Sequence, residues 1–205
     1  MIVKTKYKVC RRLGNGVFDK CQTQKFSLSE SRRGKVKPFG RRRKMLSGYA
    51  TQLLEKQKLR FTYGLKERQL AKHVKDVASR KGIDVGSTLF ENIESRLDNV
   101  VYRLSLAPTR SMARQMVSHG HITVGGRKVN VPSFKVKIGD VIGIRSQSLE
   151  KALFTDLEAK MKSRSMIPAW LSFDLKKKEG VAQSLPKMDG AESFDLTAVI
   201  EFYSR

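Results

Sequence analysis

A chain of 205 residues holds one large domain or two small ones, and a hydrophobic content of 40% supports a modest core rather than a disordered polymer. Lys and Arg number 42 against 19 Asp and Glu, a net charge of +23. Self-repulsion on that scale calls for a polyanionic partner, and nucleic acid, which releases counterions as its phosphates are neutralised, is the natural one. No apolar run reaches bilayer length and no signal-peptide core is present, so no membrane partner is expected.

Residues 1 to about 45 are basic, rich in Gly, Ser and Gln, and show no clear periodicity. Arg11 and Arg12 lie here, and Arg41-Arg42-Arg43-Lys44 is the densest charge block. Such a stretch is either a solvated loop or a phosphate-binding arm, and the net charge favours the arm. Cys10 and Cys21 could pair, but secreted disulfide scaffolds use more cysteine, so free thiols in a reducing cytoplasm are the simpler expectation. A structural zinc site needs four ligands with a close pair such as C-x-x-C, and His73, His119 and His121 are all distant. No metal or cofactor is therefore expected.

Helical periodicity starts at Ser47, a plausible N-cap. Tyr49, Leu53 and Gln57 share a face, Lys56, Lys58 and Arg60 crowd the far end, and Gly64 breaks the helix. A second helix fits Lys66 to Lys81, with Leu70, Val74, Val77 and Ala78 as its buried stripe and Gly82 as its cap. A third starts near Thr88, with Glu91 completing a capping box, and Ile93, Leu97, Val100, Val101 and Leu104 forming one stripe. Arg96, Asn99 and Arg103 occupy another face.

Pro108 ends that segment and Thr109 caps a short helix in which Met112, Ala113, Met116 and Val117 point one way. Arg110, Arg114 and Ser118 point another. Two arginines one turn apart repel by a few tenths of a kcal/mol, and no acid within that helix neutralises them. An external anion is the better reading, so Arg96, Arg103, Arg110 and Arg114 are expected to face phosphate. After Gly120 the period becomes two. His121 to Val124 reads as a strand, Gly125-Gly126 as a two-residue turn, and Val129 and Val131 alternate on the return before Pro132. Phe134, Val136 and Ile138 alternate again, and Val141 to Ile144 forms a further strand.

The run Arg96-Leu97-Asp98-Asn99-Val100-Val101-Tyr102-Arg103, followed by Ala107-Pro108-Thr109-Arg110, Ala113-Arg114-Gln115, Val117-Ser118-His119-Gly120-His121-Ile122 and Val129-Asn130-Val131-Pro132-Ser133, resembles the RNA-binding module of the ribosomal protein S-four family. Tyr7-Lys8 with Arg11-Arg12-Leu13-Gly14 looks like that family's N-terminus, which demotes any organelle presequence. Leu46-Ser47-Gly48-Tyr49 through Tyr63-Gly64 is similar to its first long helix, and Val199 to Arg205 looks like its C-terminal strand. The turn departs from the family's usual Val-Asn-Gly, and the four cysteines that bind zinc in some members are reduced here to two.

The resemblance implies an α+β fold. A basic N-terminal arm and helical domain would span 1–92 and a helix-helix-hairpin RNA-binding module with a short antiparallel sheet 93–155. A C-terminal segment over 156–205 would return to the helical domain. It implies a structural constituent of the small ribosomal subunit that binds ribosomal RNA at the 5′-domain junction, nucleates assembly, and works beside protein S-five near the messenger RNA entry channel in decoding. The setting is the cytoplasmic ribosome of bacteria, with an organelle ribosome the alternative. Charge pattern and resemblance together give the expected RNA-binding residues as Arg11, Arg12, Arg41, Arg42, Arg43, Lys44, Lys56, Lys58, Arg96, Arg103, Arg110, Arg114, His119, Arg127 and Lys128.

Two other classes compete. Ser95-Arg96-Leu97-Asp98 resembles the G-R-L-D motif of pseudouridine synthases, whose Asp is the nucleophile, but here it lies inside the module and no separate catalytic domain fits. No nucleotide-binding loop or Ser-His-Asp arrangement is present, so no enzyme is expected. A general nucleic-acid-compacting protein would bind duplex DNA and structured RNA alike.

Overall fold

The computed structural model describes residues 5–34, 46–80, 82–151, 154, 167–175, 177–188 and 194–204. By backbone packing the chain divides into two compact units, Met1–Gly86 with Asp189–Arg205, and Ser87–Met188. Among the described residues are eight α-helices and one five-stranded antiparallel sheet.

The first unit is helical: α1 (Lys6–Leu13), α2 (Gln24–Gly34), α3 (Gly48–Thr62), α4 (Glu67–Ala78) and α8 (Leu196–Tyr203). Helices α1 and α2 fall where no periodicity is evident in the sequence. In α1, Cys10 and Leu13 are buried one turn apart while Arg11 and Arg12 stay exposed. The expectation of free thiols is corrected: Cys10 and Cys21 form a disulfide, with Cα atoms 6.5 Å apart. A 3-10 turn over Asp19–Gln22 folds Cys21 back beneath α1, and both sulfurs pack with Phe26 in a small apolar cluster edged by Tyr7 and Phe18.

Helix α3 starts as its sequence suggests. The Ser47 hydroxyl accepts from the Ala50 N–H at 3.3 Å, and Gly64, at φ +61°, ends the segment in a conformation a β-carbon disfavours. Helix α8 corrects the expected C-terminal strand. Its Val-Ile-Glu-Phe-Tyr run has strand-like propensity, yet Asp195 caps it, accepting from the N–H groups of Thr197 and Ala198 at 2.8 and 3.3 Å. Leu196 and Val199 are then buried on one face. Glu67 of α4 ties three helices together, accepting from Lys56 Nζ at 2.8 Å, Arg60 Nη1 at 3.0 Å and the Tyr203 hydroxyl at 2.7 Å. Burial pushes its pKa up, but the hydrogen bonds from Lys56 and Tyr203 and the charges of Lys56 and Arg60 outweigh that and hold it below the usual carboxylate value. Burial and the same hydrogen bond raise the pKa of the Tyr203 phenol.

The second unit carries α5 (Val85–Glu94), α6 (Leu97–Arg103), α7 (Arg110–Ser118), and strands β1 (Ile122–Val124), β2 (Arg127–Lys128), β3 (Val141–Ile144), β4 (Leu171–Asp174) and β5 (Glu179–Ala182). The single helix expected from Thr88 to Leu104 is two. Asp84 Oδ1 accepts from the Gly86 N–H at 3.0 Å and starts α5 before Thr88. The chain then breaks at Ser95-Arg96, where the segment 132–136 crosses. Phe134 and Pro132 carbonyls accept from the Leu97 and Asp98 N–H groups at 2.8 and 3.1 Å, and the Val136 N–H donates to the Ser95 carbonyl at 2.9 Å. Those bonds satisfy donors a helix start leaves orphaned. They also keep Phe134, Val136 and Ile138 from forming the strand their alternation suggests, leaving one bridge between Arg96 and Lys135.

The sheet runs in the order β2-β1-β3-β5-β4. Gly125 and Gly126, at φ +54° and +77°, make the two-residue turn that pairs Val124 with Arg127. Strand β2 is shorter than expected and ends at Lys128, before Val129 and Val131. Strands β4 and β5 continue the sheet from β3, Val141 facing Val181, so the second unit runs past residue 155 and takes in residues to 188. Its core gathers Leu97, Val100, Val101 and Leu104 of α6, Ala113, Met116 and Val117 of α7, Ile122, Ile142, Leu171 and Trp170. At Gly180 of β5 the sheet lies so close to α6 that a β-carbon would meet the Leu104 side chain at 2.5 Å.

Candidate nucleic-acid interface

Helices α6 and α7 pack side by side, and the polar faces of both meet the end of α5. Every residue from Ile93 to Val101 is buried. That stretch includes Glu94, Arg96, Asp98 and Asn99, so its polar groups need partners inside the protein. They find them in two linked sets.

In the first, Arg96 grips Asp98 with two hydrogen bonds, Nε to Oδ1 at 3.1 Å and Nη2 to Oδ2 at 2.9 Å. Arg114 of α7 reaches the same carboxylate, Nε to Oδ2 at 2.8 Å and Nη2 to Oδ2 at 2.6 Å. In the second, Arg103 binds Glu94 through Nε at 3.0 Å and Nη2 at 2.6 Å. Asn99 donates from Nδ2 to the Glu94 carboxylate at 2.7 Å and to its backbone carbonyl at 3.0 Å. Its amide oxygen is left to accept from Arg110 Nε at 2.9 Å, and the Arg110 guanidinium lies 4.3 Å from the centre of the Tyr102 ring. Three guanidinium groups thus share two carboxylates, and with Arg110 on the Asn99 amide the cluster carries a formal excess of two positive charges.

This geometry corrects the reading of the arginine faces. Groups outside α7 do compete for its arginines: the Asp98 carboxylate and the Asn99 amide, adjacent on α6, hold Arg114 and Arg110 in turn. Arg96, expected to face RNA, has 4% of its surface exposed and is an internal partner of Asp98. Arg103 and Arg114 keep 30% and 25% of their side-chain surface accessible, and Arg110 is also half-buried. Asp98, the would-be nucleophile of the synthase motif, is enclosed by two guanidinium groups. Spacing within one helix could not show most of this, because Arg103, Arg110 and Arg114 each find their partner on a neighbouring helix.

The other predicted residues are distributed over both units. Lys56 is corrected to a buried position, its ammonium bound to Glu67 and 4.3 Å from the centre of the Phe202 ring. Lys58 pairs with Glu55 at 2.5 Å, and Arg11 with Glu30 at 2.6 Å. Arg12 and His119 are exposed, as are Arg127 and Lys128 on the β1–β2 hairpin. Arg41, Arg42, Arg43 and Lys44 lie outside the described residues. His121 was not singled out in the sequence. Its Nδ1 sits 3.0 Å from Ser148 Oγ and its ring meets Phe154 edge-on. Burial lowers its pKa, and the charges of Lys151, His119 and Arg145 lower it further.

Residues 3–94 match the ribosomal protein S4/S9 N-terminal domain and residues 95–142 the S4 domain. A small ribosomal subunit protein uS4 from Herpetosiphon aurantiacus is 48% identical over 166 residues, 80% of this chain and 78% of its own. Those from Roseiflexus sp. (strain RS-1) and Chloroflexus aurantiacus are 42% and 41% identical over 97% of this chain and 96% of theirs. These relatives are structural proteins of the ribosome and not enzymes, which removes the synthase reading. A match of this identity over nearly the whole chain places it in the uS4 family of small ribosomal subunit proteins.

Proposed function

We propose that the chain is a primary binder of small-subunit ribosomal RNA at the 5′-domain junction, nucleates assembly there, and later contributes with protein S-five to the messenger RNA entry site and to decoding accuracy in a cytoplasmic, bacterial-type ribosome. The observation that carries this reading is the α6–α7 cluster, where four arginines are gathered around two acids on the edge of an S4 domain, in a chain whose net charge is +23. Folded RNA offers dense phosphate and fixed shape, and planar guanidinium groups bind phosphate oxygens two at a time. Arg103, Arg110 and Arg114, with Arg127 and Lys128 of the hairpin, His119, and Arg11, Arg12 and Lys58 of the first unit, are the proposed contacts. Arg96 and Lys56 act from within as supports.

The test is a binding titration of the full chain against a junction-containing fragment of 5′-domain ribosomal RNA and against duplex DNA of equal length, over a salt series. The RNA is expected to bind far more tightly, with affinity falling steeply as salt rises. Equal affinity for the two at moderate salt would favour a general compacting protein.

A further inference from the structure

Removing a negative charge from a basic protein ordinarily tightens its grip on a polyanion, because the long-range attraction grows. The α6–α7 cluster sets up the opposite expectation. Asp98 and Glu94 are almost wholly enclosed and bonded to guanidinium groups, so each ion pair presents little net charge to an approaching RNA. What they do is hold guanidinium groups in place. Asp98 receives both Nε and Nη2 of Arg114, and Glu94 receives both Nε and Nη2 of Arg103. Each arginine is therefore fixed by two bonds along one edge of its planar fork, while part of the side chain stays accessible. An arginine otherwise carries a large rotamer entropy that is lost when it is immobilised against a ligand. Here folding has already removed it.

We infer that Asp98 and Glu94 are positioning residues for RNA binding: buried acids that pre-set the guanidinium groups of Arg114 and Arg103 toward phosphate. The inference rests on the RNA-binding reading above. Asp98 serves two arginines with different duties. Arg96, buried on its far side, anchors the carboxylate with two bonds, so that Arg114 is held by an acid which is itself fixed. Asn99 extends the arrangement, with Glu94 orienting its amide and the amide oxygen aligning Arg110 over Tyr102.

The experiment is a double-mutant cycle read on RNA affinity. The full chain, Asp98→Asn, Arg114→Ala and the double variant are titrated with the junction-containing RNA fragment over a salt series, at a temperature where melting curves show each to be folded. Asp98→Asn, although it raises the net charge by one, is expected to weaken binding by on the order of tenfold and to flatten the salt dependence, as Arg114→Ala does. The double variant should bind within about twofold of Arg114→Ala alone, because an acid that acts through Arg114 has nothing left to position. A purely structural role for Asp98 predicts losses that multiply and a salt slope that Asp98→Asn leaves unchanged. Either result overturns the inference, as does an Asp98→Asn variant that binds as tightly as the parent. If Asp98→Asn does not fold, the same cycle on Glu94→Gln and Arg103→Ala decides by the same criteria. A parent chain that fails to prefer the RNA over duplex DNA would overturn the RNA-binding reading itself, and that is visible before any variant is compared.

Discussion

Replacing Arg103 with Ala strikes the stability of the second unit more sharply than its half-exposed position suggests. The Glu94 carboxylate has 1% of its surface exposed and receives two bonds from Arg103 and one from Asn99. Removing one partner of a buried ion pair costs about 3–5 kcal/mol, because the remaining charge stays desolvated. The Arg103 guanidinium is itself part-exposed and Asn99 Nδ2 remains in place, so the loss falls at or just below the low end of that range. The expected loss is about 2–3 kcal/mol. For a chain of this size that lowers the melting temperature by roughly 5–10 °C. Urea denaturation followed by circular dichroism, with RNA absent, measures it. Adding Glu94→Gln to Arg103→Ala should restore part of the loss, since a neutral carboxamide tolerates burial without a cation. The reasoning fails if Arg103→Ala unfolds within about 0.5 kcal/mol of the parent, the range of an ordinary surface change. It also fails if the double variant is less stable than Arg103→Ala alone.

Three further outcomes are expected. Gly180→Ala should cost about 1–3 kcal/mol by overpacking against the enclosed Leu104, measured by thermal melting, and Leu104→Ala in the same chain should relieve part of it. His121 titrates below its free value near 6.5, so the unfolded chain takes up the proton first; stability should decline as pH falls through about 6.5 and level off below the folded pKa. Melting of the RNA-free chain at several pH values should show this decline, and His121→Asn should flatten it. Reduction of the Cys10–Cys21 bridge, which links residues 11 apart, should lower the stability of the first unit by about 2–3 kcal/mol on chain-entropy grounds. Denaturation with and without dithiothreitol tests this, with Cys10→Ser/Cys21→Ser as the control that reductant should leave unmoved.

Much of this fold is written in local pattern. Ser47, Thr109 and Gly125-Gly126 announce two helix starts and a hairpin because their chemistry acts within three residues. The buried stripe of α7, and Leu70, Val74 and Val77 of α4, follow from periodicity alone, while Ala78, which the same periodicity includes, is exposed. What stayed hidden was set by distant partners. Nothing at Ser95-Arg96 breaks a helix; the break exists because Pro132 and Phe134 offer carbonyls to the next turn. The C-terminal strand that the resemblance implies gives way to a helix capped by Asp195, a signal that is local and present in the sequence. The arginines were legible as a cluster with a common face. The pairing of Arg103 with Glu94 and of Arg114 with Asp98 was not, because each acid stands on a different helix from the cation it holds. Cys10 and Cys21 likewise lie in a segment without periodicity, where only the tertiary fold brings them together.

Helix α8 closes the first unit against α3, with Tyr49 stacked on Phe202 and Gln52 bonded to Glu201. A ribosome makes α3 and α4 early and α8 more than a hundred residues later. At about 5–20 residues per second that is a delay of roughly 5–25 s. By the end of it the second unit, whose described strands end at Ala182, has all of its own elements, while the first still waits for a wall. The order of completion during synthesis is thus the reverse of the order of appearance. The second unit matures first, and the first spends the interval with the apolar side of α3 open to whatever passes, a period in which a chaperone has its best access.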